Sequence, residues 1–139
     1  SKQLSVEGKA LTGYDINKAG GKTDSAKGTS VFQIDNGVIN ENAKFHRVRR
    51  ANPRTGIGYL SPGHYIAIVV DGRQKDYSVG LPVWELADLF ASYGCTVAYN
   101  LDGGQTAQMV LEDNLVNMPA NGGRRVGDII YLERTEPQQ

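Results

Sequence analysis

The sequence lacks several features that would define a class of protein at once. Its single cysteine, Cys95, has no partner for an internal disulfide and opens an apolar run, which favours a small buried residue over a nucleophile. No apolar stretch approaches the ~20 residues that a membrane-spanning helix needs. The 15 basic and 15 acidic residues cancel, which argues against a broad nucleic-acid or membrane-surface interface. Any anion site must therefore be local.

The composition that remains fits one globular domain. A chain of 139 residues with 40% hydrophobic content can bury a core without disulfides or other cross-links. Residues 1–29 are polar and rich in Gly, Lys, Ser and Thr, and they predict a polar arm or loop. The domain itself is expected at residues 30–135, where strand and helix patterns begin.

Strand signals dominate this domain. Residues 30–39 predict a hairpin because Asn36-Gly37 tolerates the positive φ values of a type I′ turn. The apolar, β-branched run 65–70 is expected to be central in the sheet. The other predicted strands are 44–50, 55–60, 96–101, 108–111, 115–117 and 128–133.

One segment, about 81–93, changes to the period of a helix. Its apolar residues recur at helical spacing, Pro82 suits a first turn and Gly94 suits the position after the last. We expect Leu86, Leu89, Phe90 and Tyr93 to face the sheet and Trp84 to be partly exposed. One helix among seven or more strands predicts an α+β fold, mostly antiparallel, with the helix packed on a sheet face.

Two motif fragments and the two histidines carry no function on sequence grounds. Gly21-Lys22-Thr23 lacks the first glycine of a phosphate-binding loop, and Gly56-Ile57-Gly58 lacks the third glycine and the helix of a dinucleotide fingerprint. His46 and His64 have no ligand spacing around them and are expected at the surface or at strand ends. The sequence therefore predicts neither a metal nor a cofactor.

A stronger pattern is polar residues where strands end. Four blocks share it: 52–55, 71–73, 100–104 and 122–125. Arginine in three of them offers a fork for phosphate or carboxylate, and glycines let backbone amides approach an anion. The alternative role for a single arginine is that of a solvated turn residue, and for Arg54 it is a salt bridge. For Asp102 the alternative is an Asx-turn that caps the chain reversal. We expect the blocks to meet at one cleft that binds an anionic substrate.

These blocks resemble the phosphodiester glycosidase family, the family of the uncovering enzyme, in its bacterial branch. The resemblance runs from about residue 30 to 132 through "NPRTGIGY", "VVDGRQ", "GLPVWELADLFASYG", "AYNLDGGQTAQM", "VNMP" and "GGRRVGDIIYL", in the family's order. It implies a hydrolase that cleaves a sugar-1-phosphodiester in a glycan or envelope polymer, outside the cell or in its envelope. The partner would be a phosphorylated sugar or polysaccharide. We expect no nucleic-acid partner, no membrane insertion by this chain and no cofactor.

The resemblance also implies site residues. The catalytic group would be Asp102, Asp71 and Arg54; the substrate-binding group would be Arg73, Asn100, Gly103, Gly104, Thr106 and Arg125. Two departures stand out. Many relatives have Gly-Ser-Ser-Thr where this chain has Gln105-Thr106-Ala107-Gln108, so one hydroxyl is kept, and residues 1–29 do not match the family's usual N-terminal strand. We therefore expect the domain to lack part of its N-terminal region.

Chemistry alone indicates how such a site would work. A departing phosphate monoester is already an anion, so arginines serve it better than an acid. Asp102 would activate water or attack the sugar carbon, with Asp71, Glu85 or Asp128 as the second acid. Two alternatives stay open. One is a non-catalytic module that binds phosphorylated polysaccharide; the other is a metal-assisted phosphodiesterase that uses Asp71, Asp102 and Asp128 as ligands.

Overall fold

The predicted N-terminal hairpin is present. A computed structural model of the protein describes residues 32–39 and 50–132, so the expected arm at 1–29 and nearly all of the expected strand at 44–50 lie outside it. Strands β1 (Phe32–Asp35) and β2 (Val38–Ile39) pair antiparallel. Asn36 and Gly37 join them with φ values of 50° and 78°, as a type I′ turn requires.

Three more strands complete a sheet of five. They are β3 (Arg54–Ser61), β4 (His64–Val70) and β5 (Val97–Asn100), and the order is β2-β1-β5-β3-β4 with antiparallel pairing. The expectation that 65–70 is central is wrong for the described part of the chain, where β4 is the end strand. Strand β3 is inside instead, because it pairs on one side with β4 and on the other with β5.

The helix occupies its predicted place as α1 (Val83–Ser92), with Pro82 at its N-cap. Its end forms a Schellman motif: the Cys95 amide donates to Phe90 O at 3.1 Å, and the Gly94 amide donates to Ala91 O at 2.9 Å. Gly94 adopts a φ of 79°, the left-handed conformation for which glycine is favoured. Its position after the last turn was predictable for that reason.

The helix packs on the sheet through Leu86 and Phe90, both fully buried. The Phe90 ring lies where β3 has glycines: a Cβ built on Gly56 would lie 2.6 Å from Phe90 Cε2, and one on Gly58 would lie 2.6 Å from Cys95 Sγ. The Gly56-Ile57-Gly58 triplet therefore serves close packing. Cys95 is buried as predicted, and burial raises the pKa of its thiol.

Two side chains on the helix test its expected orientation. Trp84 is partly exposed, as predicted. Tyr93 was expected to face the sheet, but 54% of it is exposed. The reason is that α1 ends at Ser92 and Tyr93 is already the C-cap residue, so the helical period no longer directs its side chain.

The C-terminal part has little regular structure. Strands β6 (Val110–Leu111) and β7 (Asn114–Leu115) form a separate pair, and short 3₁₀ helices span Gly104–Thr106 and Ala120–Gly122. The strand expected at 128–133 is not formed over residues 128–132, which are exposed and have no paired partner among the described strands. The described part is α+β, with one α-helix on an antiparallel sheet. None of its helices combines the length and apolar character needed to cross a membrane.

Candidate functional site

The blocks at strand ends converge around the chain segment that leads into β3. Asn52 and Leu81 exchange backbone hydrogen bonds of 3.2 and 3.0 Å. The Asn52 Oδ1 accepts a 3.0 Å hydrogen bond from Arg73 Nε, and Pro53 O accepts one from the Gly104 amide, also at 3.0 Å. Three of the four blocks therefore meet at residues 52–54, as the sequence pattern predicts.

Arg54 opens β3 and is nearly covered, with 5% of its surface exposed. Its Nε donates to Leu81 O and its Nη2 donates to Arg50 O, each at 2.8 Å. Burial lowers the pKa of Arg54, and the positive charge of Arg73 lowers it further. A buried cation close to a second cation is a local electrostatic arrangement that a bound anion would stabilise.

Arg73 is the exposed member of this pair. Its backbone has a φ of 58°, which is uncommon for a residue with a Cβ and indicates that its surroundings impose the conformation. Its guanidinium lies against Gly104, where an added Cβ would be 3.2 Å from both Nη atoms. Within the described residues the guanidinium makes one hydrogen bond, through Nε, which leaves both Nη groups available to a ligand.

Gly103 and Gly104 make the contact with Arg73 possible because they allow close packing of the backbone. A Cβ on Gly103 would lie 2.5 Å from Pro53 O, and Gly104 has a φ of 70°. The Gly103 amide donates to Asp102 Oδ1 at 3.0 Å and the Gly104 amide donates to Pro53 O, so both amides are already engaged. Thr106 Oγ1 donates to Gly103 O at 2.8 Å and holds the turn. Substrate contacts by these three residues stay predictions.

Asp102 lies on the surface, just beyond the end of β5. Its side chain is 73% exposed, and its Oδ2 lies 3.2 Å from Nη2 of Arg124, which is 57% exposed. An ion pair as exposed as this contributes little to stability, because water screens it and two side chains must be ordered. The carboxylate is therefore open to solvent and to a ligand, while its Oδ1 helps to set the glycine turn.

The fourth block joins the site through Arg124. The Arg124 amide donates to Gln105 O at 3.2 Å, and Gln108 Nε2 donates to Arg124 O at 2.9 Å. Arg125, which the family resemblance assigns to substrate, is exposed and makes no hydrogen bond or ion pair with the described residues. Adjacent arginines look alike in a sequence, so the role of Arg124 beside Asp102 carried no sequence signal.

Asp71 lies at the centre of a hydrogen-bond network. Its Oδ1 accepts from Asn117 Nδ2 at 2.7 Å, and its Oδ2 accepts from the Met118 amide at 2.9 Å and from Tyr77 Oη at 3.0 Å. The bond to Asp71 is the main reason that the pKa of Tyr77 is raised. These contacts join loops, and a role for Asp71 as second acid would require at least one of them to open.

The remaining candidates differ in their surroundings. Asn100 ends β5 opposite Gly56, and its Oδ1 is a buried atom without a hydrogen-bond partner among the described residues. Such atoms are rare in folded proteins and invite explanation by a ligand or water. Glu85 and Asp128 are exposed. In the part of the chain described, no group of three His, Cys, Asp or Glu residues could hold a metal ion, so Asp71, Asp102 and Asp128 do not form a cluster.

The chain belongs to the phosphodiester glycosidase family, whose profile matches residues 3–133. The match begins within the stretch 1–29, so the boundary of the predicted arm stays a prediction. The sequence is 38% identical over 74 residues to the SPbeta prophage-derived protein YomE of Bacillus subtilis (strain 168), covering 53% of this chain and 11% of that protein. It is 32% identical over 82 residues to bovine N-acetylglucosamine-1-phosphodiester alpha-N-acetylglucosaminidase, covering 58% of this chain and 15% of the enzyme.

Solved structures agree with this assignment. The fold is similar to the zebrafish N-acetylglucosamine-1-phosphodiester alpha-N-acetylglucosaminidase catalytic domain auto-inhibited by pro-peptide, with a TM-score of 0.55 and 30% identity over 64% of this chain and 33% of that chain. It is also similar to a hypothetical protein from Synechocystis, with a TM-score of 0.57 and 25% identity over 68% of this chain and 18% of that chain. The chain thus spans a third or less of each of these four proteins.

Proposed function

We propose that the protein hydrolyses a sugar-1-phosphodiester by breaking the bond between the sugar carbon and the phosphate oxygen. The observation that carries this proposal is the contact of the Arg73 guanidinium with Gly104. Arg54 is buried nearby, and the Asp102 side chain, two residues before Gly104, is exposed to solvent. Cations and a carboxylate are thus held in neighbouring turns. A bond between a sugar and a phosphate needs both kinds of group within reach.

The arginines would act on the departing group. When the C–O bond breaks, the electron pair goes to the phosphate oxygen, and the leaving phosphate monoester gains a negative charge. Fixed cations stabilise a charge that develops in the transition state without reorganising at the moment of reaction. Arg73 offers its two Nη groups, and the charge of Arg54 is set in position by backbone carbonyls.

Asp102 would act on the sugar carbon. Its carboxylate would either take a proton from the attacking water or form a glycosyl intermediate that water then hydrolyses. In both cases the products are a free sugar and a phosphate monoester. The ion pair with Arg124 orients this carboxylate, and because both side chains are exposed a substrate can displace the arginine at small cost.

Family and site together support a proposal for the substrate class. We propose a phosphorylated glycan of the cell envelope or an exopolysaccharide as substrate, and a location outside the cell or in the envelope. The support is the sequence resemblance to the bacterial branch of the family and the buried Asn100 Oδ1, which has no hydrogen-bond partner among the described residues and would accept one from a sugar hydroxyl. Fractionation of the source organism would test the location.

One isotope experiment tests the reaction. The full-length gene product is incubated with a sugar-1-phosphodiester in water enriched in ¹⁸O, and both products are analysed by mass spectrometry. We expect ¹⁸O in the free sugar, because water attacks the sugar carbon. Label in the phosphate monoester would instead mean cleavage of the P–O bond, and loss of that activity with a chelator would identify a metal-assisted phosphodiesterase. Binding without turnover would identify a phosphoglycan-binding module.

A further inference from the structure

Asn117 uses its whole side-chain amide to join two segments of the site. Its Nδ2 donates to Asp71 Oδ1 at 2.7 Å and to Ala107 O at 2.9 Å, and its Oδ1 accepts from the Met109 amide at 2.8 Å. The side chain is partly buried. One residue thus connects the loop that begins at Asp71 with the segment 107–109.

These two segments hold the two residues of the contact between Arg73 and Gly104. Arg73 follows Asp71 by two residues, and Ala107 is tied to Gly104 by a backbone hydrogen bond of 3.3 Å. The Arg73 guanidinium and Gly104 lie against each other. Any relative movement of the segments would therefore separate them, and Asn117 is the described side chain that bonds to both.

The backbone of Arg73 shows that this loop is held under constraint. A left-handed φ of 58° in an arginine persists only where the surroundings determine it. On one side, Asp71 holds the loop in place by accepting hydrogen bonds from Asn117, Tyr77 and the Met118 amide. On the other side, the Gln74 amide donates to Ser78 O at 2.9 Å and closes a small hairpin.

We propose that Asn117 is a positioning residue for phosphate recognition: through Asp71 and the 107–109 backbone it holds Arg73 against Gly104. This inference rests on the proposed function, because it assigns Arg73 to the phosphate of the substrate. In this role Asn117 would act through Arg73 and would not itself contact the substrate. In the sequence it belongs to the "VNMP" block, for which the residue pattern alone indicates no role.

The test compares Asn117→Ala with Asn114→Ala in the full-length gene product. Asn114 is the matched control, since it lies in β7, three residues before Asn117, and its side chain donates to the local Glu112 O at 2.8 Å without bonding to either segment of the site among the described residues. We expect Asn117→Ala to lower kcat/KM by about 10- to 100-fold, as small misplacements in an active site do. Inhibition by inorganic phosphate should weaken in parallel, and Asn114→Ala should stay within about twofold of the parent.

A merely structural role is separated by repeating the substitution in an Arg73→Ala background. If Asn117 acts through Arg73, Asn117→Ala should add less than about twofold to the loss there, because coupled residues are not additive. An equal loss in both backgrounds would overturn the proposal, and so would an Asn117→Ala protein with parental activity. Asp71→Asn tests the same link from its other end if Asn117→Ala does not fold.

A second readout does not depend on hydrolysis. The Gly104 amide and Arg73 Nε signals of an ¹⁵N-labelled protein should shift in Asn117→Ala and stay in place in Asn114→Ala. Unshifted signals in Asn117→Ala would refute the positioning role. Shifted signals in a protein that hydrolyses no sugar phosphodiester would keep the positioning role and refute the proposed function.

Discussion

At the scale of single residues, the two arginines of the site do different work. Arg54 is buried and donates to backbone carbonyls, whereas Arg73 is exposed and keeps both Nη groups available among the described contacts. The sequence placed both at strand ends, but it could not separate them because burial and acceptor geometry depend on residues distant in the chain. The same limit applies to Arg124 and Arg125, and to Asp71, whose three donors come from residues 77, 117 and 118.

Arg73→Ala is expected to weaken phosphate binding with little change in stability. Loss of a charge-assisted contact of about 1.5–3 kcal/mol corresponds to a roughly 10- to 150-fold rise in the inhibition constant of inorganic phosphate. Lys75→Ala is the control, because it removes an exposed positive charge two residues away. Equal effects of the two substitutions would mean that net charge, and not the Arg73 contact, governs binding.

Arg54→Ala is expected to lower the stability of the fold in addition to removing the buried cation of the site. It removes two charge-assisted hydrogen bonds, to the carbonyls of Leu81 and Arg50, each of which keeps a bond from Asn52, and it opens a cavity. Together these losses cost about 2–4 kcal/mol. For a domain of this size the melting temperature should fall by roughly 6–16 °C. A thermal melt with a change below about 2 °C would show that the buried guanidinium does not hold these segments together.

At the scale of elements, the local patterns were the most informative. The Asn36-Gly37 turn, the helix and its Gly94 end follow from residues next to one another, and the sequence predicted them. The end position of β4 and the missing strand at 128–132 depend on partners far along the chain, which local periodicity does not report. The same applies to the glycines of β3, whose role becomes visible only once Phe90 lies across them.

Gly56→Ala should destabilise the packing of the helix on the sheet. The new Cβ would lie 2.6 Å from Phe90 Cε2 and 3.2 Å from Tyr99 O, and overpacking of this kind costs about 1–3 kcal/mol. Denaturant unfolding measures this loss, with Gly127→Ala as control because its Cβ would meet nothing within 4 Å. Adding Phe90→Leu should cost less in the Gly56→Ala background than in the parent; strictly additive costs would contradict the clash.

Gly94→Ala tests the end of the helix by itself. A Cβ there meets nothing within 4 Å, so its cost comes only from the left-handed φ of 79°. We expect a loss of about 1–2 kcal/mol in the free energy of unfolding, and a smaller one for Gly94→Asn, since asparagine tolerates this conformation. A neutral alanine would indicate that the Schellman motif is not maintained in solution.

At the scale of the whole molecule, charge is balanced globally and concentrated locally. Equal numbers of acidic and basic residues give no general attraction for polyanions, yet Arg54, Arg73 and Arg124 come together around the turn that carries Asp102. In the proposed function, this arrangement would bind one phosphate group within a larger glycan. Because the chain spans 33% of the zebrafish catalytic domain and smaller shares of its other relatives, turnover is to be measured on the full-length gene product.

The central claim is that Asp102 is the catalytic carboxylate, and Asp102→Asn tests it most directly. The amide keeps the shape and can still accept a hydrogen bond from the Gly103 amide, but it cannot activate water or form a glycosyl intermediate. Hydrolysis of a sugar-1-phosphodiester is measured alongside the affinity for a non-hydrolysable phosphonate analogue, with Arg124→Ala as control for loss of the ion pair. We predict that Asp102→Asn lowers kcat by roughly 10²- to 10⁴-fold with affinity retained, while Arg124→Ala loses far less. Turnover of Asp102→Asn at the parental rate would contradict the account and leave Asp102 as a residue that only shapes the turn.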